Sequence, residues 1–424
     1  MAGSLTLPGS GLKRFWSFIA GAGMIAASVM TVRHFYAANF PESIWAGSFC
    51  DLNAFFNCDS SAFSPIAHFG GVPMGWFGLF VGALVVLGAV FPSAPFERTN
   101  KAVSIFNAFG VLALLGYSVF VQKSLCLLCS GYYLFSLLSF FFFWRSGIRS
   151  EKKGVGGFLR TFAAPSVKIA VVAVVGLAVG AFGFRQFTLA KEEARRGGVA
   201  SNIVKQFKDL AVIGDPSFIS PYWSAQATPR WEDAPIRIVE YFDYLCPDCL
   251  FLHQQLSRLK AEFPGKMNIA CQFFPLDSQC NDVVEKNLHP GSCELTLIAA
   301  RDPALFPVLH EEIFANYPET KQPEWREDLM RRYGLGAALT DPATRDILQR
   351  IIATGAEYEK TSEKYSHGIR STPTMIVNGR MIIGTLPDDY MKAIFASLLE
   401  SGGTGPGEGR YLENWIETKP SPKK

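Results

Sequence analysis

Nine cysteines punctuate the chain, and their spacing limits the chemistry open to them. Cys50 and Cys58 flank seven residues. Cys126 and Cys129 form one C-x-x-C pair, and Cys246 and Cys249 form another. Cys280 and Cys293 stand on either side of a short polar loop ending in His-Pro-Gly and read as a structural disulfide. Cys271, in "MNIACQFF", reads as a reduced thiol buried in a strand. Two C-x-x-C motifs admit either zinc or redox chemistry. A structural zinc site needs four Cys or His ligands closing a tetrahedron. The chain has six histidines, none in H-x3-5-H spacing, and Cys126 and Cys129 are flanked by apolar residues. No metal is expected, and thiol–disulfide exchange is the better reading.

Very different elements must position these pairs. Cys126 and Cys129 open "SLCLLCSGYYLFSLLSFFFFW" (124–144), one of five apolar runs, near 15–36, 74–92, 102–122, 125–144 and 167–187. A bilayer about 30 Å thick takes about 20 helical residues to cross. The first run is expected to be a retained anchor, because four more follow and no small-residue cleavage site succeeds it. With a cytoplasmic N-terminus, the inner segments carry Lys13, Arg14, Arg98, Lys101, Arg145, Arg149, Lys152, Lys153, Arg160 and Lys168. The outer loops before the fifth run carry only Arg33 and Lys123, while Arg185 and Lys191 run against the rule. Everything beyond about residue 190 is then exported, and Cys50, Cys58, Cys126 and Cys129 share that outer, oxidising side. A net charge of +3 with no basic block interleaved with aromatics excludes nucleic acid as an expected partner.

The exported part has ordinary globular composition. "IRIVEYFDYLCPDCLFLHQQLSRLKAEF" (236–263) reads as a strand, a turn with the thiols, then a helix. Cys246 at the helix N-terminus gains from unpaired N–H groups and the dipole, which favour thiolate. Pro247 suits the first helical position. A strand at 266–274, a helical stretch at about 281–365, Thr-Pro, an Asn-Gly turn between strands over 370–384, and a last helix at 386–400 follow. His289 reads as a surface loop residue and His253 as a helix-face residue.

With C-P-x-C and T-P-T in this order, residues 235–400 resemble the thioredoxin superfamily in its DsbA-like branch. The resemblance implies that Pro373 is a cis-proline facing the thiols and that Thr372 offers backbone groups to a substrate. Residues 14–145 resemble the vitamin K epoxide reductase (VKOR) family: four cysteines in this order, a serine six after Cys58, and Tyr133 four after Cys129. That resemblance implies that Cys126 and Cys129 reduce a membrane quinone, ubiquinone or menaquinone. It makes Cys50 and Cys58 shuttle cysteines, and Ser64 and Tyr133 hydrogen-bonding partners of the quinone carbonyls. Taken alone, Ser64 reads equally as a helix cap and Tyr133 as an interfacial aromatic. Trp76, Phe77 and Phe80 are expected to line the ring pocket, although by periodicity such residues more often face lipid.

The expected architecture is an all-α transmembrane bundle, a four-helix VKOR-like core at 1–145. A cytoplasmic loop and fifth span (146–187) and a linker with an amphipathic helix interrupted by Gly-Gly (188–234) come next. An α/β thioredoxin fold with a helical insertion (235–400) and a loose tail (401–424) complete it. The implied function is a quinone-dependent thiol oxidase in the bacterial inner membrane, acting on exported cysteine-containing proteins. Outward electron flow, or disulfide isomerisation, would use the same thiols, but outward flow needs a cytoplasmic donor and no cysteine is placed on that side. An exported chaperone with structural disulfides would not need a C-P-D-C at a helix start.

Asp248 lies between the thiols where many strongly oxidising relatives carry His, and a carboxylate there disfavours thiolate. Asp248→His should therefore lower the pKa of Cys246, read from thiolate absorbance against pH. An unchanged titration would remove Asp248 as the cause of a milder oxidant.

Overall fold

The apolar N-terminal runs form helices, and the later α/β pattern forms one mixed sheet. The computed structural model describes residues 11–39, 58–91, 93–122, 124–145, 167–358 and 368–401. Cys50, the segment 146–166 and the tail from 402 onward lie outside the described residues. Two units make up the chain, the first within 1–38 and 55–193, the second chiefly within 194–424.

In the first unit, α1 (Gly11–Asn39) precedes a short α2 (Cys58–Ala62) and a two-stranded hairpin, β1 (His68–Phe69) and β2 (Val72–Pro73). Then come α3 (Met74–Val90), α4 (Ala94–Gly116) with a π-helical turn at Tyr117–Val121, and α5 (Leu127–Arg145). Ser93 caps α4, its Oγ accepting the Phe96 N–H at 3.3 Å, and Pro95 fits the first turn. Glycine lets α1 and α3 approach closely: a Cβ on Gly82 would stand 2.9 Å from Ile25 Cγ1 and 3.0 Å from the Gly21 carbonyl. Asn100 Nδ2 donates to the Leu84 carbonyl at 2.9 Å, fastening α4 to α3. Gly11–Asn39 and Phe96–Val121 are long and apolar enough to cross a membrane, and Met74–Val90, Leu127–Phe143 and Val174–Ala190 are shorter apolar helices.

The next helix, α6 (Val167–Asp209), departs from expectation. The sequence predicts a span ending at 187 and a helix broken at Gly197-Gly198, yet α6 runs through both glycines. Each costs only about 1 kcal/mol relative to alanine, and the flanking "KEEARR" and "NIVKQFK" are good helix formers. Ile203 and Phe207 anchor its last turns in the core of the second unit.

That unit is built on a five-stranded sheet of order β3-β5-β4-β6-β7: β3 (Trp223–Gln226), β4 (Ile236–Phe242), β5 (Met267–Phe273), β6 (Thr374–Val377) and β7 (Arg380–Ile383). β4 and β5 are parallel, joined by α7 (Pro247–Glu262); the other pairs are antiparallel. Asn378 and Gly379, both at positive φ, make the tight β6–β7 turn. The insertion comprises α8 (Ser292–Ala300), α9 (Phe306–Ala315), α10 (Tyr317–Thr320), α11 (Pro323–Arg332) and α12 (Pro342–Thr354), and α13 (Asp388–Glu400) covers the other face. A domain start at 235 omits β3 and the core residues Ile213 and Tyr222. β3 escapes the sequence because "WSAQ" is short, lacks clean alternation and joins β5 with a register shift. The disulfide Cys280–Cys293 ties residues 277–291, which are irregular, to the start of α8.

Glu240 sits in the middle of β4, opposite Cys271 on one side and Met375 on the other, and is 2% exposed. Burial pushes its carboxyl up to about 8, against the weaker pull of Lys260. A raised folded pKa means that its contribution to stability is complete below the unfolded value and is lost as pH rises toward 8. Glu240→Gln should therefore raise the melting temperature at pH 8 by several degrees, at roughly 2–4 °C per kcal/mol, and leave it unchanged at pH 4. Equal shifts at both pH values would show that its ionisation is not the cost.

Candidate functional sites

In the second unit, β4 delivers the chain to an active-site turn. Cys246 is the N-cap of α7, with extended backbone (φ −80°, ψ 120°), and Pro247 opens the helix. Its Sγ donates to the Thr372 carbonyl at 3.4 Å, across from the cis Thr372–Pro373 peptide. Cys249, one turn in, accepts the Asp243 N–H on its Sγ at 3.4 Å. Both thiols are reduced and buried, Cys246 the less so at 5% exposed.

Asp243 organises the turn. Its Oδ1 accepts the Leu245 N–H and its Oδ2 the Leu276 N–H, each at 2.6 Å. Oδ2 also lies 3.0 Å from His289 Nδ1. His289 is therefore not a surface loop residue: it is 4% exposed beneath the active-site turn. The loop folds back because Leu288 and His289 both donate backbone N–H to the Leu276 carbonyl. Asp277 Oδ2 accepts from the Gly291 and Cys293 N–H groups, and the Cys280–Cys293 bond closes the loop. A polar loop sequence carries no sign of this, because the partner lies 46 residues upstream.

The electrostatics follow. Burial pushes the Asp243 carboxyl up, but the charge of His289 and the donated hydrogen bonds outweigh it and hold it below the usual range. Burial likewise lowers His289, and Asp243 reverses that, leaving its pKa raised. Both directions favour the ion pair. Burial raises the Cys246 thiol, yet the hydrogen bond with Cys249 and the charge of His289 prevail, and the net direction is down. Burial and the neighbouring Cys246 push Cys249 well up. Such a pair has a nucleophilic and a resolving sulfur. His253 lies on α7, stacked on Phe314 at 4.5 Å with its Nε2 3.2 Å from Glu311. Cys271 is buried and reduced.

In the first unit, Cys126 precedes α5 and Cys129 lies in its first turn. Cys126 Sγ accepts the Cys129 N–H at 3.2 Å and stands 3.7 Å from Cys58 Sγ, itself disulfide-bonded. These sulfurs line a cavity of about 200 Å³ that Ser64, Phe77 and Tyr133 also reach. Trp76 and Phe80, expected beside them, are absent from its lining. Trp76 instead meets Phe184 of α6 in a tilted contact with ring centroids 6.4 Å apart, and Phe80 lies beside Gly176. Trp76 and Phe80, four residues apart, share the face of α3 that meets α6. Sequence reasoning missed other polar lining groups: Thr31 and His34 on α1, Asn107 on α4, and Tyr132. Tyr132 donates to Asn107 Oδ1 at 2.8 Å, and Asn107 Nδ2 donates to Ser136 Oγ. Polar side chains inside apolar runs were the available signal.

Comparison with known proteins separates the same two parts. The model of the "Vitamin K epoxide reductase family" matches residues 15–144, and that of "Thioredoxin" matches residues 231–396. "Disulfide bond formation protein D" of Bacillus subtilis is 26% identical over 200 residues, 45% of this chain and 82% of the relative. "Probable disulfide bond formation protein D" of Bacillus cereus is 24% identical over 197 residues, 44% and 82%. Among solved structures, the thiol-disulfide exchange protein alpha-DsbA2 of Wolbachia pipientis aligns at 18% identity and TM-score 0.32 over 48% of this chain and 98% of its own. The catalytic domain of Proteus mirabilis ScsC aligns at 18% identity and TM-score 0.30, over 40% and 85%. The chain therefore joins a domain of the vitamin K epoxide reductase family, residues 15–144, to a thioredoxin domain, residues 231–396.

Proposed function

We propose that this thiol–disulfide oxidoreductase carries electrons from exported protein dithiols to a membrane quinone and so drives disulfide formation. The observation that carries the reading is the 3.7 Å approach of Cys126 and Cys58 at the wall of a cavity. Exchange proceeds by thiolate attack through a mixed disulfide, and that separation suits a Cys58–Cys126 intermediate.

The sequence of steps balances. A client dithiol reduces the Cys246–Cys249 disulfide and leaves oxidised. Cys246 thiolate then attacks the Cys50–Cys58 disulfide, and Cys249 resolves the mixed species. Cys58 thiolate attacks an oxidised Cys126–Cys129 pair, Cys50 displaces Cys126, and a dithiol remains at 126/129. A quinone held in the cavity accepts two electrons and two protons as that dithiol closes. Its lining fits such a substrate: Phe77, Val81 and Leu114 offer apolar walls, while Ser64 and Tyr133 can bond the carbonyl oxygens. Thr372 and Pro373 would hold the client strand beside Cys246.

A bilayer location accords with the outward apolar side chains Phe15, Phe106, Phe109 and Phe182, all more than half exposed on apolar helices. The charge asymmetry supports a cytoplasmic N-terminus and an exported thioredoxin domain.

The test uses the full chain in nanodiscs with quinone and a reduced client protein. Quinol formation should fall to the uncatalysed background in Cys126→Ala, in Cys246→Ala and in a Cys50→Ala/Cys58→Ala variant. Cys249→Ala should accumulate Cys246 bonded to a cysteine of the 50/58 pair. Client-dependent quinol formation at the full rate without Cys50 and Cys58 would overturn the relay.

A further inference from the structure

His289, buried beneath the thiols, comes from a distant loop. Asp243 joins it to both sulfurs. The Asp243 carboxylate lies 3.0 Å from the imidazole. The same residue donates its N–H to Cys249 Sγ at 3.4 Å and accepts the Cys246 N–H on its carbonyl at 3.2 Å. The loop has little freedom: two N–H groups on the Leu276 carbonyl, two on Asp277 and the Cys280–Cys293 bond fix it.

We infer that His289 is a positioning residue that makes the thioredoxin-domain disulfide more oxidising, supplying from the 280–293 loop the positive charge that Asp248 does not supply between the thiols. The inference rests on thiol exchange at Cys246 and Cys249 and needs no quinone. When the disulfide oxidises a client, client(SH)2 and Cys246–S–S–Cys249 become the client disulfide, Cys246–S⁻, Cys249–SH and one proton. An imidazolium beneath the turn stabilises only the thiolate side. It therefore favours the reduced domain and shifts the equilibrium toward oxidised client.

The other charges around His289 set the size of the effect. Asp243 holds the proton on the ring and partly cancels its field at Cys246, and Lys321 opposes the protonation. At Cys246 the charge of His289 lowers the thiol and that of Asp243 raises it, and the overall direction is down.

The experiment compares the full-length protein in nanodiscs with His289→Gln. Peptide mass spectrometry reads the alkylation rate of Cys246 against pH and the redox equilibrium of Cys246/Cys249 with glutathione. In the variant the alkylation profile should move to higher pH, and the equilibrium should shift about tenfold toward the disulfide, or about 30 mV. A folded variant with an intact Cys280–Cys293 bond and both readings within about twofold of wild type would overturn the proposal. Should His289→Gln fail to fold, wild-type protein labelled at its six histidines decides. One imidazole must titrate at lower pH once Cys246–Cys249 is oxidised, by reciprocity of the coupling. Titrations identical in both redox states would overturn it. Loss of quinol formation with these shifts intact would count against the relay alone.

Discussion

The thioredoxin domain depends on keeping one carboxylate ionised where water is absent. Asp243 is 1% exposed, and removing an ion from water costs several kcal/mol unless its partners are complete. They are supplied by three pieces of chain: the turn itself through Leu245, the end of β5 through Leu276, and the disulfide-closed loop through His289. Each bond that satisfies Asp243 also fixes the backbone carrying Cys246 and Cys249. Sulfur geometry and charge compensation are therefore one constraint. Truncating either partner of such a pair strands a buried charge, at a cost of about 3–5 kcal/mol.

Glu240 makes the contrast, three residues earlier, within β4. It is equally buried, yet its Oε1 has no hydrogen-bond partner among the described residues. Burial then dominates, and the carboxyl stays protonated up to about pH 8. Two carboxylates on one stretch of chain adopt opposite states because of what faces them. Burial alone accounts for Glu240 but not for Asp243, whose partners reverse it.

Much of the active-site turn was legible because its signals are local. C-P-D-C after a β-branched run specifies a strand, an N-cap thiol and a proline at the first helical position within a dozen residues. Asn-Gly between two apolar runs specifies the β6–β7 turn, where both residues take positive φ. What escaped is non-local or weakly patterned. β3 is four residues with a register shift and gains its place only from β5. His289 has the composition of a solvated loop, and its burial depends on a partner in a turn far upstream. The two glycines of α6 are ordinary breakers by type, but good helix formers surround them, and Ile203 and Phe207 hold its last turns in the core.

The first unit shows the same division between type and placement. Phe77 faces the cavity while Trp76 and Phe80 turn away, a distinction of helical phase that a run of uniformly apolar residues does not encode. The polar lining is more constrained. A Cβ on Gly78 would stand 2.6 Å from Ser28 Oγ and 2.7 Å from the Tyr132 ring, so the approach of α3 to that ring requires glycine. Tyr132 in turn holds Asn107, which holds Ser136. A polar group in an apolar environment is costly unless bonded, and this chain satisfies three of them together, Tyr132 and Asn107 at the wall of the cavity and Ser136 behind them. Gly78 thus acts on the cavity without contributing a polar atom: its lack of a side chain lets Tyr132 reach the position from which the Asn107–Ser136 pair is completed.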